Sequence, residues 1–395
     1  MSHNILLITK DALCKEYLPL YGNQLWEGKT PNLDELVAKG TVFNRHYTAA
    51  PSTVMAFRAM STGRFGHDQP YSNYTPKEVP GSSTDLFAMA ASRGYKGHII
   101  WDQAWVKMVL KYGNCYGPEV RFHNIPELRQ GVGCHYNHNE PLKNNDELCK
   151  LTLNKVISEV EKITTENERN FVWIHLPHVL NGRTAYGSDI DVFDHLIGLL
   201  REFFNDDSIY VSADHGNMNG FNGKYCYGFD VNTSSIEIPL ITPRINGITH
   251  YDHVTSNVDL KTIIFEHKIV ERRYVFSDCA YYAQPQRKLA IVSDDFAYIF
   301  NKKNKSEELY DMNNDRMERC NLLNDSHYDI DRNVTSPVRE YYYSPFWDRA
   351  ESIANEFRDV KKSIWKDAPI VEELREKYKR KAIVLIENVL KMFRK

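Results

Sequence analysis

Four short apolar runs constrain this chain most: "NILLIT" (4–9), "GHIIW" (97–101), "FVWIHL" (171–176) and "SIYVSA" (208–213). Each has the length of a strand and little polar alternation, so both of its faces must be covered. The segments between them read as helices: "PNLDELVAKG", the apolar run after Thr53, "TDLFAMAASRG", "LCKLTLNKVISEVEKI" and "DVFDHLIGLLREFF". Two of these close on Gly40 and Gly94, as helix C-termini often do. The alternation predicts an α/β fold, a large and mainly parallel sheet sandwiched by helices. After about residue 270 the pattern changes. "KLAIVSDDFAYIFNKKNKSEELYDM" reads as antiparallel hairpins and "VEELREKYKRKAIVLIENVLKMF" as a long amphipathic C-terminal helix. The 395 residues therefore divide into a large α/β domain over 1–270 and a smaller α+β unit over 271–395. The polar, Asn-rich segment 112–147 reads as a long irregular insertion, expected to line a substrate site.

The net charge of −3, from 49 Lys and Arg against 52 Asp and Glu, supplies no field to draw in nucleic acid. No run approaches the roughly 18 apolar residues of a transmembrane helix. "MSHNILLITKDAL" lacks the parts of a signal peptide, so a cytoplasmic location is expected, although a chain trimmed of its leader would read the same. Seven cysteines, scattered and without a CxxC pair, argue against a disulfide framework or a zinc knuckle.

Chemistry-bearing residues gather at strand ends. Asp11 directly follows the first run, and Asp214-His215-Gly216 closes the fourth. Ligands of open parallel sheets bind beyond the carboxyl ends of the strands, where an Asp and an Asp-His pair can meet on one metal ion. Taken singly, Asp11 fits an Asx turn or helix cap equally well. Pro51-Ser52-Thr53 enters an apolar helical run, a place suited to a bound phosphate or sulfate and equally to a plain N-cap.

These elements, in this order, resemble the sulfatase branch of the alkaline phosphatase superfamily. "TPNLDELVAKGTVFNRHYTAAP" is similar to the family's "TPNLDxLAxxGxxFxxxYxxxP", "MSTGRF" to "LLTGRY", "FVWIHLPH" to "FxxHxPH" and "VSADHG" to "xSDHG". "IEIPLITP", "SNVDLKTII" and "EELYDMNNDRMERCNLLND" resemble its later segments, and the matches stay collinear from Asn4 to about Asp325. The resemblance implies a site of one or two divalent metals. It places Asp11, Asp214 and His215 at metal-ligand positions and Thr53 at the nucleophile position, where Thr53 also meets the metal. His178, in "HLPH", matches a position that contacts the transferred group or a second metal, and Lys224 a loose anion-binding position. Arg64 reads as an anion contact or a structural pair. His175 reads as a core residue of its strand.

The departures narrow the expected chemistry. Sulfatases carry C/S-x-P-x-R at the nucleophile, whose first residue is oxidised to formylglycine; this chain has Thr53-Val54-Met55-Ala56-Phe57. "GYKGHIIWDQA" puts Asp102 and Ala104 where the family supplies a Lys and a His, and Lys10 stands where many members have a metal-binding Asp. What remains resembles members that act on phosphorus esters through a threonine. The expected activity is metal-dependent hydrolysis or transfer at phosphodiesters, phosphonates or phospho-groups on a small-molecule or glycan-linked anionic substrate. The alternatives are a sulfatase working without formylglycine and a noncatalytic member that binds a glycan or protein. Two carboxylates and an imidazole suit Zn²⁺ or Mn²⁺ better than Mg²⁺ or Ca²⁺.

Overall fold

The computed structural model describes residues 4–22, 30–68, 86–102, 120–128, 146–166, 168–176, 190–218, 227–278, 288–302, 304–323 and 344–365. The chain enters on β1 (Ile5–Lys10), crosses α1 (Pro31–Lys39), and continues through β2 (Gly40–Phe43), β3 (His46–Tyr47) and α2 (Thr53–Thr62). Next come α3 (Leu86–Ser92), β4 (Lys96–Trp101), β5 (Arg121–Asn124), α4 (Asp146–Thr165), β6 (Asn170–Leu176), α5 (Ile190–Leu200) and β7 (Ile209–Ala213). The short helix α6 (Thr233–Ile236) leads to β8 (Leu240–Pro243), β9 (His250–Tyr251), β10 (Thr255–Ser256) and α7 (Leu260–Glu266).

The eight-stranded sheet has the order β5-β4-β6-β1-β7-β8-β2-β9. Its pairs are parallel except β7 with β8 and β8 with β2, so β8 alone runs against the rest. The apolar runs explain the centre: all six residues of β1 and all seven of β6 are buried. Leu6, Leu7 and Ile8 are fully shielded, each burial contributing about 1.5–3 kcal/mol. Because β1 pairs directly with β7, Asp11 and Asp214, which follow these two strands, emerge side by side.

One local expectation is corrected, and the helix ends at Gly40 and Gly94 stand where the sequence puts them. Within the 112–147 segment, Arg121–Asn124 forms the edge strand beside β4. Its sequence, RFHN, has no apolar pattern because an edge strand is covered on fewer sides. Gly40 ends α1 in extended backbone, with φ −103°, and opens β2. A Cβ there would lie 2.3 Å from the Thr242 carbonyl oxygen, so close packing of β2 on β8 requires glycine. Gly94, at φ 79°, does take the left-handed conformation after α3. The expected C-terminal helix over 371–393 lies outside the described residues.

A second, four-stranded antiparallel sheet is built from β11 (Val275–Asp278), β12 (Lys288–Val292), β13 (Phe296–Asn301) and β14 (Glu307–Asp311), followed by α8 (Ala350–Trp365). Strand alternation divides its side chains. Leu289, Ile291, Tyr298 and Phe300 pack with Ala354 and Phe357 of α8, whereas Ala290, Val292, Ala297 and Ile299 pack with Tyr47, Val231 and Ile236 of the larger unit.

Ion pairs and a buried carboxyl reinforce that second contact. Lys288 Nζ donates to Asp230 Oδ1 at 2.9 Å, Arg316 pairs with Glu237, and Glu318 Oε1 accepts from the Thr233 backbone N–H at 2.8 Å and its hydroxyl at 2.6 Å. Burial pushes the Glu318 carboxyl from its ordinary 4.5 to about 8. Between those values the unfolded chain sheds a proton that the folded chain keeps, so this residue's contribution to stability falls as pH rises. Glu318→Gln keeps the accepting oxygen and removes the titration. Denaturation midpoints measured from pH 5 to 8 are expected to lose a slope of up to about 1.4 kcal/mol per pH unit in this variant. An unchanged slope would assign the dependence to other groups.

Candidate metal centre and nucleophile

At the carboxyl end of β1 the chain turns sharply. Asp11 is followed by Ala12 at φ 55°, a left-handed conformation unusual for alanine. The Asp11 backbone N–H donates to the Leu176 carbonyl at 3.0 Å, and the Ala12 N–H donates to Asp214 Oδ1 at 3.1 Å. Asp214 Oδ1 also accepts from the His215 backbone N–H at 2.8 Å. One carboxylate oxygen of Asp214 thus fastens both strand-end turns, leaving Oδ2 for other work.

The Asp-His-Gly turn is held from the opposite side by α6. The Gly216 N–H donates to the Ser235 carbonyl at 2.9 Å, and a Cβ at position 216 would lie 2.0 Å from the Ser234 carbonyl oxygen. Glycine is therefore needed here for close backbone approach. Cys14 joins the same knot, accepting from the Asn217 N–H at 3.0 Å and donating to its carbonyl at 2.7 Å.

The side chains converge. One ligand atom each from Asp11, Asp214 and His215 lies within 4.8 Å of the others, and all three residues are fully buried. His215 Nε2 is 3.4 Å from Asp11 Oδ1 and 3.5 Å from Asp214 Oδ2. Its Nδ1 faces the Gly216 carbonyl oxygen at 2.8 Å, so Nδ1 carries the proton and Nε2 presents a lone pair. Both oxygens of Asp11, and Oδ2 of Asp214, have no hydrogen-bond partner among the described residues. Buried carboxylate oxygens without donors are costly unless a cation compensates them. Burial first, then the neighbouring Asp214 charge, pushes the Asp11 carboxyl well above its usual range; Lys10, buried beside it, acts in the other direction. Three acceptors facing one point fit a divalent ion, and Asp11, Asp214 and His215 are the residues that would hold it.

Thr53 completes the cluster. It is the first residue of α2, and its Oγ1 lies 3.2 Å from His215 Nε2. Ser52 occupies the N-cap position without a side-chain capping bond, and its Oγ has no partner among the described residues. All ten residues of α2 are buried. Phe57, one turn beyond Thr53, stacks on Trp173 with centroids 4.4 Å apart and on Trp101 at 4.7 Å. An aromatic stack therefore fills the position where the sulfatase pattern has arginine.

The structure brings together Asp11, Thr53, Asp214 and His215. Arg64 is exposed beyond the other end of α2, about 15 Å along the axis from Thr53, and does not join them. His178 and Lys224 lie outside the described residues, as does Ala104. Two residues not predicted for the site approach it. The Tyr227 ring lies 4.4 Å from that of His215, and His175 Nε2 is 4.0 Å from Asp214 Oδ2. Tyr227 carries no sequence signal. His175 shares the apolar run of β6, and its position opposite Thr9, two residues before Asp11, is the clue that pairing supplies.

A family model described as Sulfatase matches residues 3–260. A search of curated proteins with the sequence returned no match. Among solved structures, a 2-O GAG sulfatase is 15% identical with a TM-score of 0.66, covering 93% of this chain and 93% of its own. A putative sulfatase from Bacteroides thetaiotaomicron has the same TM-score and coverage at 14% identity. The phosphonate monoester hydrolase of Agrobacterium radiobacter, also 14% identical, has a TM-score of 0.63 and covers 91% of this chain and 96% of its own. With a family match over well more than half its length and this fold, the chain belongs to the sulfatase family, in the alkaline phosphatase-like superfamily.

Proposed function

We propose that this sulfatase-family hydrolase cleaves phosphorus esters, phosphodiesters or phosphonate esters, with Thr53 as nucleophile and one divalent ion held by Asp11, Asp214 and His215. The observation that carries this reading is the position of Thr53: a hydroxyl at the head of a buried helix, 3.2 Å from the His215 nitrogen, beside two carboxylates. Threonine is not a precursor of formylglycine, and Phe57 takes the place of the arginine in the sulfatase pattern, which favours phosphorus over sulfur. Phosphonate monoester hydrolases share the fold, so the scaffold is compatible with such substrates.

When bound, the ion supplies Lewis acidity that lowers the pKa of the threonine hydroxyl and neutralises charge on the phosphoryl oxygens. Thr53 Oγ1 gives up its proton to solvent water and forms a bond to phosphorus as the ester P–O bond breaks, its electron pair going to the leaving alcohol's oxygen. His178 is assigned to protonate that alcohol. Water then cleaves the phospho-threonine, returning Thr53. The free N–H groups at the start of α2 and the positive end of its dipole stabilise the anionic group. Zn²⁺ and Mn²⁺ suit the one-imidazole, two-carboxylate set best. Glycan-linked phosphate esters are the substrate class to try first, because GAG sulfatases are built on the same fold.

Parallel assays on aryl phosphodiester, phosphonate, phosphate and sulfate esters test the assignment. Thr53→Ala is expected to lower phosphorus-ester turnover by roughly three orders of magnitude or more, with Thr53→Ser keeping part of it. Sulfate-ester turnover that survives Thr53→Ala would sink the assignment.

The metal is tested separately by thermal melts of the chelator-treated chain. Zn²⁺ or Mn²⁺ at 100 times its Kd should stabilise the fold by about 2.7 kcal/mol. Asp11→Asn should abolish that gain while raising stability in the absence of metal, because it removes a carboxylate buried against Asp214. Equal metal stabilisation in wild type and variant would place the ion elsewhere.

A further inference from the structure

His175 lies in the last turn of β6 before the site, fully buried, and Nε2 has no hydrogen-bond partner among the described residues. Its ring is fixed edge-on by Phe57, at 4.6 Å and 86°, and by Trp101, at 4.6 Å and 77°. A neutral imidazole has a single N–H. The placement of that hydrogen decides what the ring offers to the site.

Both ends of the ring give the same answer. At Nδ1 the partner is Thr9 Oγ1, 2.8 Å away, and Thr9 Oγ1 already accepts from the Trp173 indole N–H at 2.9 Å. The competing acceptor for the Thr9 hydroxyl, the Ile174 carbonyl, is 3.5 Å away, at the limit of a hydrogen bond. The Thr9 hydroxyl therefore donates to Nδ1. At the other end Nε2 faces Asp214 Oδ2 at 4.0 Å. A lone pair pointed at a carboxylate repels it, whereas an N–H attracts it. His175 is thus the Nε2–H tautomer and His215 the Nδ1–H tautomer, two imidazoles of opposite polarity on either side of one carboxylate oxygen.

We propose that His175 is a positioning residue of the metal centre: its Nε2–H, set by the Trp173–Thr9 hydrogen-bond chain, keeps Asp214 Oδ2 turned toward the ion without His175 itself ligating it. This rests on the reading of Asp11, Asp214 and His215 as metal ligands, and not on the substrate assigned to Thr53. The same ring touches Phe57, one turn from Thr53, so it also links the ligand set to the helix that carries the nucleophile.

Two-bond ¹H–¹⁵N spectra of the full-length, metal-free chain with labelled histidines read the tautomers directly, with signals assigned through His175→Gln and His215→Gln. The expected result is Nε2–H for His175 and Nδ1–H for His215. Loading with ¹¹³Cd should give a metal–nitrogen coupling to His215 Nε2 and none to His175. In Mn²⁺ titrations followed by electron paramagnetic resonance, His175→Met should bind about 10–100-fold more weakly than wild type. His175→Gln, with an amide N–H at the Nε2 end, should recover most of that loss, which a role limited to filling aromatic space would not explain. An Nδ1–H tautomer at His175, a cadmium coupling to it, or wild-type Mn²⁺ affinity in His175→Met would each overturn the proposal. If His175→Met does not fold, the two readouts on the wild-type chain decide. A wild-type chain that binds neither ion overturns this and the metal part of the proposed function together. Metal binding without ester turnover removes only the proposed reaction.

Discussion

The organisation of the molecule depends on two carboxylates, Asp11 and Asp214, fully buried beside each other at the ends of adjacent parallel strands. Loss of water, then the neighbouring Asp214 charge, pushes the Asp11 carboxyl toward protonation. Much of the surrounding structure offsets one half of that cost. Asp214 Oδ1 takes two backbone N–H groups, which a hydrated carboxylate would otherwise obtain from water. The other half, three carboxylate oxygens without donors among the described residues, is left to the centre they surround. Such a local deficit in an otherwise well-paired core is the mark of a site shaped for a ligand rather than for stability.

The aromatic layer beneath the site gives that arrangement its rigidity. Trp101 and Trp173 each stack on Phe57, and the His175 ring stands edge-on to Phe57 and Trp101. These rings come from two strands and one helix. Thr53 is consequently fixed in height and rotation by a residue four positions along its own helix.

Much of this was legible in the sequence because it depends on short-range patterns. The buried strands appear as unbroken apolar runs, and Asp11 and Asp214-His215 follow directly where two of those runs stop. Thr53 sits where an apolar helical run begins. The features that escaped depend on pairing. His175 looks like a core residue because a strand covered on both faces has no polar side to betray a site-facing histidine; only its register opposite Thr9 reveals it. The edge strand Arg121–Asn124 has no apolar periodicity, since few neighbours cover it. Gly40 is the helix C-cap that its spacing predicts, but its second constraint, the Thr242 carbonyl, is some two hundred residues away in sequence. Arg64 belongs to a well-matched motif, but the motif's length sends it to the far end of α2.

The contact between Gly216 and α6 has a consequence for where the working unit of this protein ends. The turn that carries Asp214 and His215 rests on the carbonyls of Ser234 and Ser235, the first residue of that helix is tied to Glu318, and the residue just past it to Arg316. The turn that carries Asp214 and His215 in the first sheet is thus underpinned by residues beyond the second one. The family match ends at residue 260, whereas the mechanical support of the site extends at least to 318. A gene fragment cut at the family boundary would encode Asp11, Thr53, Asp214 and His215 and lose the foundation beneath the last two. For heterologous expression, domain transplantation or comparison with shorter relatives, the indivisible piece is the pair of sheets together.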